Sequence, residues 1–382
     1  MNALSLFANV GVAETYLSEI GLDVVVANEL EPDRARFYSH LYPGCDMVCG
    51  DITETEVFEK IIDKAEKMNV EFIIATPPCQ GMSIAGHNSP YDERNSLIKY
   101  AVDAIDRLKP KYVFMENVPQ QLETPIHFQG EEMLIPKYLE IRLGNQYRFN
   151  KEKITNTMYY GVPQMRRRCV TLLVRKDVDL IWEFPKPEKE IVTLDKAFEG
   201  IPDLWPEIQE KEYKDILPKN TEEALAFHKW HKPPKHVWRN VECMLHTPAG
   251  NTAFDNPFYY PKKKNGDRVK GYDTTYHRLF WDKPAATITK WNGIMGSQNN
   301  VHPGREWKRD KNGDMMYTNP RVLTIYELLV VSSLPTDWNI PDWVNNQLIR
   351  FVIGEGVPPL MVKKIIEPVM VHERRPAMKS QP

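Results

Sequence analysis

A cysteine that directly follows two prolines is the first candidate for chemistry. In Thr76-Pro77-Pro78-Cys79-Gln80-Gly81 the apolar run 72–75 stops at the prolines and a thiol comes next. The prolines fix φ and stiffen the turn, so the thiol is presented at the carboxyl edge of a strand, where α/β sheets bind substrates. A free cysteine is commonly a small buried hydrophobe. A Pro-Pro-Cys-Gln turn followed by Gly81 and Ser83 is poor core material, and a thiolate there is a nucleophile. A second apolar run ends in Glu116-Asn117-Val118-Pro119 and sets a carboxylate at another strand end. Alone it reads as a capping or salt-bridged glutamate. With Cys79 it offers an acid beside a nucleophile, as covalent chemistry requires. The third candidate is Tyr160-Gly161-Val162-Pro163-Gln164-Met165-Arg166-Arg167-Arg168, just before the apolar run 170–174. Strand alternation aims Arg166 and Arg168 to one face and Arg167 to the other. Two guanidiniums on one face hold a phosphate, a carboxylate or a base carbonyl, although an exposed charge run has the same composition.

A further set of residues suits a nucleoside cofactor. Leu6-Phe7-Ala8-Asn9-Val10-Gly11 makes a tight turn after a first strand. Glu29 closes the second strand, where a carboxylate can accept both ribose hydroxyls. Asp51, in Gly50-Asp51-Ile52, closes the third and can accept from an adenine amino group. Only Gly11 of a glycine-rich loop is present, so the turn alone is weak; successive acids at strand ends strengthen it.

The elements that must position these residues follow from periodicity. Strands are expected at 3–8, 24–29, 47–51, 72–76, 112–117 and 170–175, with helices at 32–41, 57–68 and 96–108 between them. Strands separated by helices of this length imply βαβ units around a mostly parallel sheet, an α/β fold. Prolines and turn signals such as Asn265-Gly266-Asp267 and Asn312-Gly313-Asp314 dominate further on. The division expected is a catalytic and cofactor-binding domain over 1–175, and a smaller, irregular, hairpin-rich lobe over 176–320. C-terminal helices at 324–334, 341–352 and 358–366 return to the first domain within 321–368, and 369–382 is read as a frayed tail.

The 382 residues are 42% hydrophobic and 26% charged, as in an ordinary globular protein. No apolar stretch is long enough for a membrane span, and the start, MNALSLFANV, reads as a strand with no signal peptide. Five scattered cysteines argue for reduced thiols rather than a disulfide framework. Net charge is −3, but the segment 228–310 carries +8 and more than half of the histidines and tryptophans. A basic, aromatic-rich segment in an otherwise acidic chain suits a phosphate backbone; a solvated lobe has the same signature. Cys243-x-x-His246 fits no usual zinc pattern, and no metal is expected.

Taken in order, these strings resemble the cytosine-C5 DNA methyltransferase family of bacterial restriction-modification systems. Leu6-Phe7-Ala8 resembles its first motif, Pro78-Cys79-Gln80 its nucleophile motif and Glu116-Asn117-Val118 its acidic motif. Gln164, Arg166 and Arg168 match its Gln-x-Arg-x-Arg motif, and Arg321, Leu323, Thr324 and Glu327 the helix that packs its recognition lobe. Ile353-Gly354-Glu355-Gly356-Val357-Pro358-Pro359 resembles its last motif. The departures are Ser5, Asn9 and Val12, where the first motif has Asp, Gly and Gly, and Glu355, where Asn is usual. Both regions lie near the methionine end of the cofactor in the family.

The resemblance implies a Rossmann-like S-adenosylmethionine-dependent methyltransferase sheet with helices on both faces and a target-recognition lobe. It also implies transfer of a methyl group from S-adenosylmethionine to C5 of a flipped-out cytosine in duplex DNA. Catalysis would fall to Cys79, Gln80, Glu116, Arg166 and Arg168. The cofactor would be held by Phe7, Val10, Glu29, Asp51, Ile52, Pro78, Leu97, Glu355 and Val357. DNA contacts are expected from Ser83, Gln164, Lys262, Lys263, Arg268, Lys270 and Arg278, with the loop 80–95 closing over the base. A bacterial cytoplasmic monomer working on double-stranded DNA, with a cognate restriction endonuclease as possible companion, completes the expectation. Two alternatives stand beside it. A tRNA-methylating branch usually carries Cys-Phe-Thr, a string absent here, and the other alternative is an inactive DNA-binding relative.

Overall fold

The structure, a computed structural model, describes residues 1–78 and 93–374. Its centre is an eight-stranded sheet with strands in the order β3-β2-β1-β4-β5-β10-β8, and β9 beside β10. The strands β1 (Asn2–Leu6), β2 (Asp23–Glu29), β3 (Asp46–Cys49), β4 (Phe72–Ala75) and β5 (Tyr112–Asn117) run parallel. A hairpin of β6 (Pro125–Phe128) and β7 (Glu131–Leu134) follows. Next come β8 (Tyr147–Phe149), β9 (Ile154–Asn156) and β10 (Arg167–Arg175), with β10 antiparallel to β5, β8 and β9.

Alternation along the strands sorts side chains to two faces. Ile73, Val113, Met115 and Leu173 face α2 (Thr55–Lys67), α3 (Ile98–Leu108) and α4 (Ile135–Leu143), through Ile61, Ile62, Val102, Ile105 and Tyr138. Phe72, Ile74, Tyr112, Phe114, Val170 and Leu172 face the last helix, whose Met361, Val362, Ile365, Ile366, Val369 and Met370 are buried on them. Helix α1 (Pro32–Leu41) buries Phe37 and Tyr38. The expected α/β sheet with helices on both faces is therefore the observed one.

The second lobe has little regular structure. It holds α5 (Leu194–Ala197), α6 (Glu222–Ala226) and α7 (Trp238–Leu245), the two-residue pair β11 (Glu207–Ile208) and β12 (Lys235–His236), and the hairpin β13 (Glu306–Arg309) and β14 (Met315–Tyr317). Its core gathers Trp205, Val241, Met244, Met295, Val301 and Val322. The chain closes with α8 (Ile325–Val331), α9 (Asn346–Glu355) and α10 (Pro359–Glu373).

Three boundaries differ from expectation. Val178, Leu180, Trp182 and Phe184 pack on the sheet, so the chain stays with the first domain past residue 175. Within the expected lobe, Leu279, Ala285 and Ile288 join the core of α8 and α9, and Ala285 pairs with Gln164. The tail begins later than residue 369. Pro368 lacks the amide that would continue a helix, yet burial of Val369 and Met370 carries α10 through it to Glu373. No helix among the described residues is long and apolar enough to cross a membrane.

Candidate active site

The chain starts in the middle of the sheet at β1, steps outward to β2 and β3, and returns to β4 on the other side. Open α/β sheets bind ligands at this switch point, outside the carboxyl ends of the strands. Here the turn after β1 meets the turn after β4, and the Thr76 hydroxyl donates to the Phe7 carbonyl at 3.1 Å. Cys79, Gln80 and Ser83 lie outside the described residues, as do residues 80–92 of the expected base-covering loop over 80–95. What is described is the frame around them. Asn117 donates from Nδ2 to the Pro77 carbonyl (3.1 Å) and accepts from the Val118 amide (2.8 Å), so the end of β5 braces the proline turn.

Glu116 and Arg168 come together because β10 runs against β5. The strand's amino end therefore reaches the edge where β5 finishes. Val170 sits opposite Glu116, which makes Arg168 a diagonal neighbour on the same face. Arg168 Nε lies 2.6 Å from Glu116 Oε1, with both side chains nearly buried. Burial pushes the Glu116 carboxyl up; Arg168, and then Arg166, pull it down without cancelling the rise. Arg167 is exposed, as alternation requires. Arg166 is buried and donates to the carbonyls of Ile288 (2.8 Å), Gly354 (3.0 Å) and Glu355 (3.1 Å). It ties β10 to the end of α9. Cys169 is also buried, and burial raises its thiol to about 12, so it is no rival nucleophile.

On the side where the sequence places the expected cofactor residues, the turn after β1 holds three left-handed residues in alternation, Phe7, Asn9 and Gly11. Gly11 is obligatory there, since a Cβ would stand 2.2 Å from the Tyr42 ring. Glu29 at the end of β2 accepts from the amides of Asn9 (2.8 Å) and Glu31 (3.0 Å), one to each oxygen. Each oxygen keeps a second lone pair for a hydroxyl donor. Burial raises the Glu29 carboxyl. Asp51 lies just beyond β3 and accepts from the Thr53 amide at 2.9 Å. Ile52 is buried, Leu97 packs partly buried on the same core, and Pro78 is half-buried. Val10 and Val357 have buried side chains in separate clusters, so only their backbones can face a ligand without repacking. Asn9 Oδ1 is buried without a hydrogen-bond partner among the described residues. An orphaned acceptor, a carboxylate with spare lone pairs and a glycine cradle fit a ligand with ammonium and ribose donors.

Glu355, the carboxylate in the last motif, is not bare. Arg34 Nη2 lies 2.6 Å from it and Lys290 Nζ 3.0 Å. Sequence reasoning missed both cations. Arg34 carried a signal, since it opens α1 just after two acids, Glu29 and Glu31. Lys290 carried none, because its approach depends on the 285–290 segment crossing to α9.

Two expected DNA contacts are corrected by the structure. Arg278 is fully buried and donates to the carbonyls of Met244, His302, Thr318 and Asn319. It satisfies loop carbonyls of the lobe and cannot reach a phosphate. Gln164 is buried too, donating to the Val331 carbonyl (3.2 Å) and accepting from the Ile288 amide (3.2 Å). Lys262, Lys263, Arg268 and Lys270 are accessible. Lys263, Arg268 and Lys270 are exposed on a short hairpin, and Lys262 and Arg268 lie 4.9 and 4.7 Å from the centre of the Tyr260 ring. No group of His, Cys, Asp or Glu among the described residues is arranged to hold a metal ion.

Known proteins share this architecture. Two curated relatives cover nearly all of the chain. The Type II methyltransferase M1.HgaI of Avibacterium volantium is 39% identical over 95% of this chain and 96% of its own length. M.XorII of Xanthomonas oryzae pv. oryzae is 30% identical, over 97% and 85%. A prophage-encoded E. coli protein assigned as a DNA modification methyltransferase superposes with a TM-score of 0.66 at 19% identity, covering 98% of this chain and all of its own. That last likeness speaks for the fold. The family described as C-5 cytosine-specific DNA methylase matches residues 1–370, so the sheet, the acid–arginine pair, α8, α9 and α10 as far as Met370 fall inside the match, and the chain belongs to that family.

Proposed function

We propose that this protein methylates C5 of a cytosine within a short duplex DNA sequence, with Cys79 as the covalent nucleophile. The observation that carries the reading is the buried Glu116–Arg168 pair at the strand edge where Asn117 braces the Pro77-Pro78 turn, the turn that precedes Cys79 in the sequence. Cytosine C5 is a weak nucleophile. Addition of the Cys79 thiolate to C6 turns the ring into an enamine whose C5 can take a methyl group. Glu116 hydrogen-bonds the N3 and exocyclic-amine edge, which needs a proton on the carboxyl, and burial favours that protonated form. Arg168 holds the O2 side of the base. Arg166 fixes the end of α9 against β10 rather than touching the ring. S-adenosylmethionine, when bound, supplies the methyl group. Phe7, Glu29, Asp51, Ile52, Pro78, Leu97 and Glu355, with the backbones at Val10 and Val357, would hold it. After transfer, loss of the C5 proton and expulsion of the Cys79 thiolate restore the aromatic ring. The base must leave the stack to reach this edge.

Lys262, Lys263, Arg268 and Lys270 would grip the phosphate backbone beside the target. We read the protein as a monomer of the bacterial cytoplasm, acting on duplex DNA with a restriction endonuclease of the same specificity as companion. Methyl transfer onto unmethylated genomic DNA, followed by bisulfite sequencing, tests the whole reading. The wild type should protect cytosines in one short motif and Cys79→Ala none. Modification by the alanine variant, or none by either protein, would overturn it.

A further inference from the structure

Four residues depart from the family pattern, and three of them meet at one place, the carboxyl end of α9. Asn9 donates from Nδ2 to the Val352 carbonyl at 3.3 Å. Val12 fills the space above Gly356, where an added Cβ would lie 2.7 Å from Val12 Cγ1. Glu355 is the last residue of the helix, between Arg34 at 2.6 Å and Lys290 at 3.0 Å. A carboxylate at the negative end of a helix is unfavourable by itself, so Glu355 is tolerable there only with those cations. The last carbonyls of a helix lack partners within it. Here Gly354 and Glu355 are served by Arg166, and the Val352 carbonyl, which accepts from the Gly356 amide at 2.9 Å, takes a second bond from Asn9. Asn9 suits its place because asparagine tolerates the left-handed conformation, at φ +53°, that glycine would otherwise take. Its bond to a carbonyl fixes which end of the amide is nitrogen, and leaves Oδ1 buried with no partner among the described residues.

We propose that Asn9, Val12 and Glu355 are one co-adapted set of positioning residues that fastens the end of α9 to the cofactor turn. The set shapes the pocket for the amino-acid end of the cofactor, with Asn9 Oδ1 accepting from its ammonium. The proposal rests on S-adenosylmethionine as the cofactor. Independent departures would contribute separately; residues fastened to one helix end must be coupled.

The test uses the full chain without DNA. Titration calorimetry gives affinities for S-adenosylhomocysteine and for 5′-methylthioadenosine, which lacks the amino-acid end. Asn9→Gly and Glu355→Asn should each weaken S-adenosylhomocysteine about tenfold and leave methylthioadenosine within about twofold. The double variant, and the triple with Val12→Gly, should lose less than the product of the single losses, and melting temperatures should show the same shortfall. Losses that multiply independently, or equal losses for both ligands, would overturn the set. A wild type that binds neither ligand would sink the cofactor reading instead, and the melting temperatures would still decide whether the three residues are coupled.

Discussion

The proposed mechanism needs a proton on Glu116, and the surroundings of that side chain set opposing pulls on it. Burial raises its carboxyl while Arg168 and Arg166 lower it. The rate of methyl transfer in a single turnover should therefore fall as pH rises through the elevated carboxyl pKa. Glu116→Gln should cost about 10² to 10⁴ in that rate and flatten the limb. Arg168→Ala removes the larger of the two opposing charges, so the limb should shift to higher pH, on a lower maximum; a shift the other way would show that burial is not the governing cause. A second carboxyl separates stability from catalysis. Glu14 is buried beneath the cofactor turn, hydrogen-bonded by the Tyr38 and Ser5 hydroxyls, and burial raises it to about 7. The Tyr38, Tyr42 and Cys45 side chains that face it are themselves raised, mainly by burial. The folded chain thus holds a proton that the unfolded chain releases at lower pH. Its contribution is intact below the usual carboxylate range and is lost as pH climbs to about 7, to the extent of about 3 kcal/mol at most. Glu14→Gln should melt above the wild type near about pH 8 and level with it near about pH 4. Equal melting at both would mean that the carboxyl is not raised.

Helix α8 is where an element depends on a single carboxylate. Thr324 and Glu327 form a capping box, with the Thr324 amide donating to Glu327 Oε2 at 2.8 Å and the Glu327 amide to Thr324 Oγ1 at 3.2 Å. The same Glu327 receives Arg321 in two bonds of 2.8 Å, and Arg321 reaches on to the Leu204 carbonyl and Asn319 in the lobe. Burial would raise Glu327, but Arg321 outweighs it and holds the carboxyl well below its usual range. Glu327→Gln leaves Arg321 buried and uncompensated, so urea unfolding should show a loss of about 3–5 kcal/mol. Thr324→Ala removes only the cap and should cost about 1 kcal/mol. The Arg321, Thr324 and Glu327 positions were legible in the sequence, and so were α1 and β5, whose limits match, because strong periodicity and punctuation mark them. Other limits were hidden by tertiary packing. The start of β10 was masked by Arg167 and Arg168, which look too polar for a strand until β9 pairs with them. Helix α9 starts at Asn346 because Asn345 caps it, accepting from the Leu348 amide at 2.8 Å. That was a readable signal, overlooked in favour of Pro341. The short strands β6 to β9 escaped because none of them carries an unbroken apolar run like that of β4, and three or four residues are too few for alternation to register.

Across the whole molecule, charge is divided as function would require, with +8 between residues 228 and 310 and an acidic remainder. Residue type alone could not say which of those cations face outward. Arg278 reads as a phosphate contact and proves to be an internal brace, whereas Lys263, Arg268 and Lys270 stand in solvent on the hairpin that His246 secures by stacking on Tyr259 at 3.6 Å. The two kinds of cation should separate under salt. Each phosphate neutralised by the protein contributes about 0.9 to the slope of log affinity against log salt. Lys263→Gln combined with Lys270→Gln should therefore lower the magnitude of that slope by roughly 2. The variant should weaken binding at low salt and leave the preferred sequence and the melting temperature unchanged. Arg278→Gln should do the reverse. Its loss strands loop carbonyls in the core of the lobe, so the melting temperature should drop while the slope per folded molecule stays as it was. DNA binding measured over a range of salt for both variants decides the matter, because a surface that binds phosphate through the hairpin and a lobe merely held together by cations predict opposite assignments of slope and stability.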